Sequence, residues 1–211
     1  MNILLDLDGT LTDSREGIFN CIRHAFEGLE HPCPDDVELR RFLGPPLSET
    51  FGAVFGMGSP RVTRAIELYR ERFTVSGMFE NAVYAGIPEA LARLRERGAR
   101  LMIATTKPTV YAERIVEHFG LGRDIEAVFG SELDGTRSDK RDLIAWILKT
   151  RALSALATRM VGDREHDMHG AAANGVFGIG VLWGFGSREE LLDAGARALC
   201  DTPASLCAVA A

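Results

Sequence analysis

The sequence predicts an α/β fold in which a parallel sheet, covered by helices on both faces, is interrupted after its first strand by an all-helical insertion. Three observations carry this. The apolar run Ile3-Leu4-Leu5 stops at Asp6-Leu7-Asp8-Gly9-Thr10, as a buried strand does when it ends at a site. From Gly86 onward, helical and strand patterns alternate. Between residues 14 and 82 only helical spacing recurs. A chain of 211 residues, 46% of them hydrophobic, is long enough for one full α/β domain with a modest insertion, which excludes a disordered chain. The expected division is residues 1–13 with 83–211 as the α/β core and 14–82 as the inserted helical domain.

The elements follow in order. Apolar residues at 18, 19, 22, 26 and 29 recur at helical spacing until the breaker cluster His31-Pro32-Cys33-Pro34. Shorter helical patterns lie around 36–43, 48–55 and 60–75. In the core, a helix with Pro88 in its first turn ends at Gly98, and Leu101-Met102-Ile103-Ala104 reads as a buried strand. A helix from Pro108 to near Gly120 leads to the short strand Ala127-Val128-Phe129. A polar loop then runs through Asp139, and Lys140 opens the next helix. Two further strands, at 160–162 and 176–182, flank a helix that Asn174-Gly175 closes. Ser187-Arg188-Glu189-Glu190 predicts a capping box opening one more helix. Such a sheet needs right-handed crossovers and places ligands at the carboxyl ends of its strands.

Charge and composition narrow the function. A formal net charge of −6 with mixed signs along the chain does not suit a nucleic-acid-coating surface, so no polymeric nucleic acid is expected as partner. Cys21, Cys33, Cys200 and Cys207 form no CxxC pair and read as reduced thiols of a cytoplasmic protein. A carboxylate by residue 6 argues against a secretory leader, and no apolar run reaches membrane-spanning length. The glycines between 175 and 186 match neither GxGxxG nor GxxxxGK[ST], so they read as a tightly packed strand and turn.

Four predicted strand ends present reactive groups: Asp6 and Asp8, then Thr105, then Lys140, then Asp163 with Asp167. Residues two apart in a strand share a side, so Asp6 and Asp8 could line one site if the chain stays extended. The chain carries 21 arginines but only Lys107, Lys140 and Lys149, two of them near strand ends, where a compact point charge suits an anion. Asp6, Asp163 and Asp167 with a backbone carbonyl and waters make an all-oxygen shell suited to Mg²⁺, whereas zinc would need more nitrogen or sulfur. His166 and His169 read as surface-helix residues rather than ligands.

On these residues the chain resembles the haloacid dehalogenase-like phosphatase superfamily, from residue 3 to about 206. Asp6-Leu7-Asp8-Gly9-Thr10 matches its DxDGT motif, and Thr105, Lys140 and Gly162-Asp163-Arg164-Glu165-His166-Asp167 match the later three. The resemblance implies a Rossmann-like core with a helical cap, and a phosphoaspartyl route. Asp6 would attack phosphorus, while Asp8 would protonate the leaving oxygen and later deprotonate the hydrolytic water. Thr105 would donate to the phosphoryl group, with Thr106 beside it, and Lys140 would balance charge and orient Asp6. Asp6, Asp8, Asp163 and Asp167 make up the implied Mg²⁺ set, and backbone N–H groups after Asp6 would complete an anion nest.

The resemblance also bears on the substrate, a small phosphorylated metabolite. The insertion matches a cap that closes over substrate, with 10–14 and 80–86 as hinges. Gly44-Pro45-Pro46-Leu47 resembles the cap loop of phosphoglycolate phosphatase-like members, so Gly44, Pro45 and the cap arginines Arg15 and Arg41 are candidate substrate contacts. The insertion lacks the lysine of phosphonoacetaldehyde hydrolases, and Asp8 separates the chain from haloacid dehalogenases. Thr106, Arg141 after Lys140, and Gly130-Ser131-Glu132-Leu133-Asp134-Gly135 resemble a nucleotidase-like subgroup instead. The expectation is a phosphoglycolate phosphatase-like hydrolase, with a 5'-nucleotidase as the alternative. A sugar-phosphate mutase and a non-catalytic phosphate-ester binding module stand behind both. The chain is expected to act as a monomer, with a homodimer as the other possibility.

Overall fold

The computed structural model describes residues 1–210. Its strands are β1 (Asn2–Leu5), β2 (Thr12–Asp13), β3 (Ala82–Val83), β4 (Arg100–Pro108), β5 (Ala127–Ser131), β6 (Thr158–Gly162), β7 (Phe177–Val181) and β8 (Ala198–Cys200). Its helices are α1 (Arg15–Gly28), α2 (Asp36–Leu39), α3 (Leu47–Phe55), α4 (Pro60–Arg72), α5 (Ile87–Glu96), α6 (Thr109–His118), α7 (Lys140–Thr150), α8 (Glu165–Ala173), α9 (Arg188–Asp193) and α10 (Leu206–Val209). The chain divides into two compact units: Met1–Asp13 with the chain from Val83 onward, and Ser14–Ala82.

In the first unit six strands lie parallel in the order β5-β4-β1-β6-β7-β8. Leu4, Met102, Ala104 and Met160 pack against Leu143, Ile144 and Ile147 of α7 and Ala171 of α8. Their neighbours of opposite parity, Ile3, Leu5, Leu101, Ile103 and Val161, are equally buried, so both sheet faces are covered. That is why the strands read as continuous apolar runs, each buried aliphatic side chain contributing about 1.5–3 kcal/mol. Strand order reverses at β1, which lies between β4 and β6, so the carboxyl end of β1 is the switch point where open α/β sheets bind ligands.

Boundaries shift where local chemistry differs from periodicity. β4 continues past Ala104 to Pro108, because residues beyond the apolar run still pair with β5. β8 and α10, three and four residues long, are too short to carry a periodic signal. Ser187 caps α9 by accepting from the N–H of Glu190, but the expected capping box is not completed, since the Glu190 carboxylate is engaged by Arg164 and the N–H of Glu165.

The second unit, Ser14–Ala82, is helical. It has its own aromatic core, with Phe26, Phe42 and Phe51 in mutual contact at centroid separations of 5.3–6.4 Å. A π-helical turn at Phe73–Gly77 follows α4. Beyond it, Glu80 takes two hydrogen bonds from Arg72, at 2.6 and 2.9 Å, and one from Asn20 at 2.9 Å, which ties the end of the unit to α1. Among the described residues no helix is long and apolar enough to cross a membrane.

Candidate active site

Lys140 is the hub. Asp139 caps α7 by accepting from the N–H groups of Arg141 and Asp142, which fixes the first helical residue and its side chain beneath the strand ends. The buried ammonium lies 2.9 Å from Asp6 Oδ1, 2.7 Å from Asp167 Oδ1 and 2.8 Å from the carbonyl of Ala104. It thus ties together a group at the end of β1, a carbonyl within β4 and a carboxylate of the helix that follows β6. Asp6 extends the β1–β6 ladder, donating its N–H to the Val161 carbonyl at 2.9 Å.

Asp163 follows β6 and is fully buried. Its Oδ1 accepts from Thr10 Oγ1 at 3.3 Å and its Oδ2 from the N–H of Phe185 at 2.7 Å, while Trp183 Nε1 donates to the Thr10 carbonyl at 2.9 Å. Gly9, with φ +78°, makes the turn that brings this loop close: a Cβ there would lie 2.1 Å from Asp163 Oδ2. The N–H groups of Gly9, Thr10, Leu11 and Thr12 bond within the turn and so are engaged there rather than in the anion nest expected after Asp6. Asp167 in α8 accepts from the N–H of Arg164, fixing its carboxylate at the helix start.

Asp8 does not share the position of Asp6. β1 ends at Leu5 and the chain turns, so the Asp8 carboxylate pairs with Lys107 Nζ at 2.9 Å rather than joining the other three acids. Lys107 belongs to none of the motifs that mark the site, and its nearness to a strand end is the signal the sequence offers for it. The roles of Thr10, Trp183 and Glu190 carry no such signal, because each acts through a contact distant in sequence. Thr105 is buried in β4, and its hydroxyl accepts from the N–H of Lys107 at 3.3 Å, keeping its own hydrogen for another oxygen. The Thr106 carbonyl accepts from Ser131 Oγ at 2.8 Å.

Burial sets the electrostatics. It pushes the Asp6 carboxyl up to about 6 against the pull of Lys140, with Asp167 adding to the rise. Burial, then Asp167 and Asp6, raises Asp163 well above the usual carboxylate range. For Lys140 burial opposes the charged form, but Asp167 and Asp6 outweigh it and hold the ammonium above its ordinary value. Ligand oxygens of Asp6, Asp163 and Asp167 all lie within 4.8 Å of one another. One ammonium does not balance three buried carboxylates, and the all-oxygen donor set fits a hard divalent cation. His166 is half-buried and His169 exposed, and neither joins this group.

Within the helical unit, Arg15 is exposed at the start of α1 and Arg41 is exposed in the 3₁₀ turn Arg40–Phe42. Gly44 is exposed at φ +105°, and the partly buried Pro45 precedes Pro46, the N-cap of α3.

Residues 3–181 match the family described as haloacid dehalogenase-like hydrolase. The chain belongs to that family. A 5'-nucleotidase from Pseudomonas aeruginosa is 49% identical over 190 residues, which cover 90% of this chain and 86% of that protein. The tyrosine-protein kinase PtkA of Mycobacterium tuberculosis is 40% identical over 193 residues, 90% of this chain but 65% of that longer protein. The crystal structure of a predicted phosphatase from Clostridium acetobutylicum superposes with a TM-score of 0.93 at 40% identity, covering 98% of this chain and 96% of that one. The chain is thus a hydrolase of the phosphatase type.

Proposed function

We propose that this enzyme hydrolyses phosphomonoesters through an aspartyl-phosphate on Asp6, that its cation is Mg²⁺, and that nucleoside 5'-monophosphates are its substrate class. The observation that carries the reaction is the buried Lys140 ammonium on Asp6 and Asp167, with Asp163 alongside. Asp6, Asp163 and Asp167 would hold the ion. When bound, the ion supplies charge neutralisation for the phosphoryl oxygens and the carboxylates.

An Asp6 oxygen attacks phosphorus, the ester P–O bond breaks, and Asp8 gives a proton to the leaving oxygen. Asp8 then takes a proton from water as the water oxygen attacks phosphorus and the Asp6 O–P bond breaks, releasing inorganic phosphate. Lys140 balances charge on the Asp6 side, and the Thr105 hydroxyl donates to a phosphoryl oxygen. Specificity is assigned to the helical unit, with Arg15, Arg41 and the Gly44-Pro45 loop as contacts.

The 49% identity to a protein named 5'-nucleotidase supports nucleotides over the phosphoglycolate that the cap loop suggests. Phosphate release from nucleoside 5'-monophosphates, phosphoglycolate and p-nitrophenyl phosphate, with and without Mg²⁺, tests the reading. Nucleotides should give the highest kcat/KM, and Asp6→Asn should lower every rate by at least about 100-fold. Unchanged hydrolysis by that variant would sink the mechanism, and a preference for phosphoglycolate would sink the substrate class.

A further inference from the structure

We propose that Lys107 is a positioning residue for Asp8: it anchors one carboxylate oxygen so that the other is presented to the leaving group and the hydrolytic water. This rests on the phosphomonoesterase reading above. The observations behind it are independent of sequence motifs. Lys107 Nζ lies 2.9 Å from Asp8 Oδ2, and the lysine side chain is 9% exposed. Asp8 Oδ1 is buried without a hydrogen-bond partner among the described residues. A carboxylate held at one oxygen, with the other buried and left without a partner, is aimed at a group outside the protein.

The backbone is built to deliver this lysine. Ala104 pairs with Phe129 and Pro108 with Ser131, so three residues of β4, Thr105 to Lys107, stand opposite Gly130 alone. Bulges of this kind re-aim side chains beside active sites. The neighbouring strand braces it. Ser131 Oγ donates to the Thr106 carbonyl at 2.8 Å, and Thr109 Oγ1 bridges, accepting from the N–H of Gly130 and donating to the Ser131 carbonyl. A Cβ on Gly130 would fall 2.3 Å from the Lys107 carbonyl and 2.8 Å from the Thr109 nitrogen, so only glycine lets the bulge close against β5. Without this excursion, residue 107 would follow the strand rather than turn to Asp8.

The test uses the full-length Mg²⁺-loaded protein with p-nitrophenyl phosphate, whose leaving group needs no proton, and an alkyl phosphate, whose leaving group does. Lys107→Gln should lower kcat on the alkyl ester by about 10–100-fold with KM nearly unchanged. On the aryl ester it should release about one p-nitrophenol per enzyme in a rapid burst and then turn over slowly, because the first step is spared and hydrolysis of the phosphoenzyme is not. Lys107→Arg should restore most of the rate. In an Asp8→Asn background, Lys107→Gln should change the residual rate by less than about 2-fold.

A raised KM with kcat intact would overturn the proposal by making Lys107 a substrate contact. Equal loss on both esters without a burst, or a full further loss in the Asp8→Asn background, would show it to act otherwise. If Lys107→Gln does not fold, the burst and rates of Lys107→Arg decide, since a guanidinium that reaches Asp8 must keep both near wild type. A wild-type protein silent on both esters would instead remove the phosphomonoesterase reading itself.

Discussion

Three buried carboxylates cluster where one ammonium pairs with only two of them, Asp6 and Asp167, and that imbalance gives the site a pH signature. Burial raises the Asp6 carboxyl to about 6, so the folded state binds its proton more tightly than the unfolded chain does. The sign follows: stability from this group is full below the ordinary aspartate value and is lost as pH rises through about 6, a change of about 3 kcal/mol. Asp163, also raised, contributes with the same sign. A cation that needs both carboxylates ionised must therefore stabilise the protein more at about pH 7.5 than at about pH 5. Thermal unfolding of EDTA-treated protein, repeated with Mg²⁺ at both pH values, checks this; an Mg²⁺-induced rise in Tm no larger at the higher pH would refute it. The identities of Asp6, Lys140, Asp163 and Asp167 were legible in the sequence because each follows a strand end or opens a helix. Lys107 was not, since its role depends on three residues bulging opposite one, and no periodicity encodes that.

At the scale of elements, α8 presents Asp167 and is held at its start by another helix. Glu190 of α9 accepts from Arg164 Nε at 2.7 Å and from the N–H of Glu165 at 3.0 Å, supplying from α9 a cap for the α8 N-terminus. Burial opposes the Glu190 charge, but the Arg164 hydrogen bond and the N–H of Glu165 outweigh it and hold the carboxyl below its usual range. Glu190→Ala should therefore cost about 1–2 kcal/mol of stability and weaken Mg²⁺ binding several-fold by loosening the segment between Asp163 and Asp167. Denaturant unfolding and Mg²⁺ titration measure the two effects; unchanged Mg²⁺ affinity in a destabilised variant would confine Glu190 to stability. Sequence spacing read Ser187 and Glu190 as a local capping box, and half of that reading holds. The serine caps locally, while the glutamate is drawn to a guanidinium 26 residues away in sequence, a preference that only the packed helices reveal.

At the scale of the whole molecule, strand alternation after Gly86 made the parallel sheet legible, whereas β8, three residues long, had no period to read. The insertion was legible from its lack of strand character, but what it does was not, because no residue in 14–82 carries a motif as specific as those of the core. Its excision gives a direct test. Within the α/β unit the Tyr84 N–H donates to the Leu11 carbonyl at 3.1 Å, so the two ends from which the helical segment departs are tied to each other by the core itself. Closing a short loop there costs little, since loop entropy grows only slowly with length. A chain in which a few glycines join Asp13 to Val83 should unfold cooperatively, keep the Mg²⁺-dependent rise in Tm, and hydrolyse p-nitrophenyl phosphate. If specificity resides in residues 14–82, the same chain should treat nucleoside 5'-monophosphates and phosphoglycolate alike, within about 3-fold in kcat/KM, each having lost the remote contacts that separate them. Retained discrimination in a folded, active core would place specificity in the strand-end loops instead, and loss of cooperative unfolding would show that the α/β unit needs its insertion to fold.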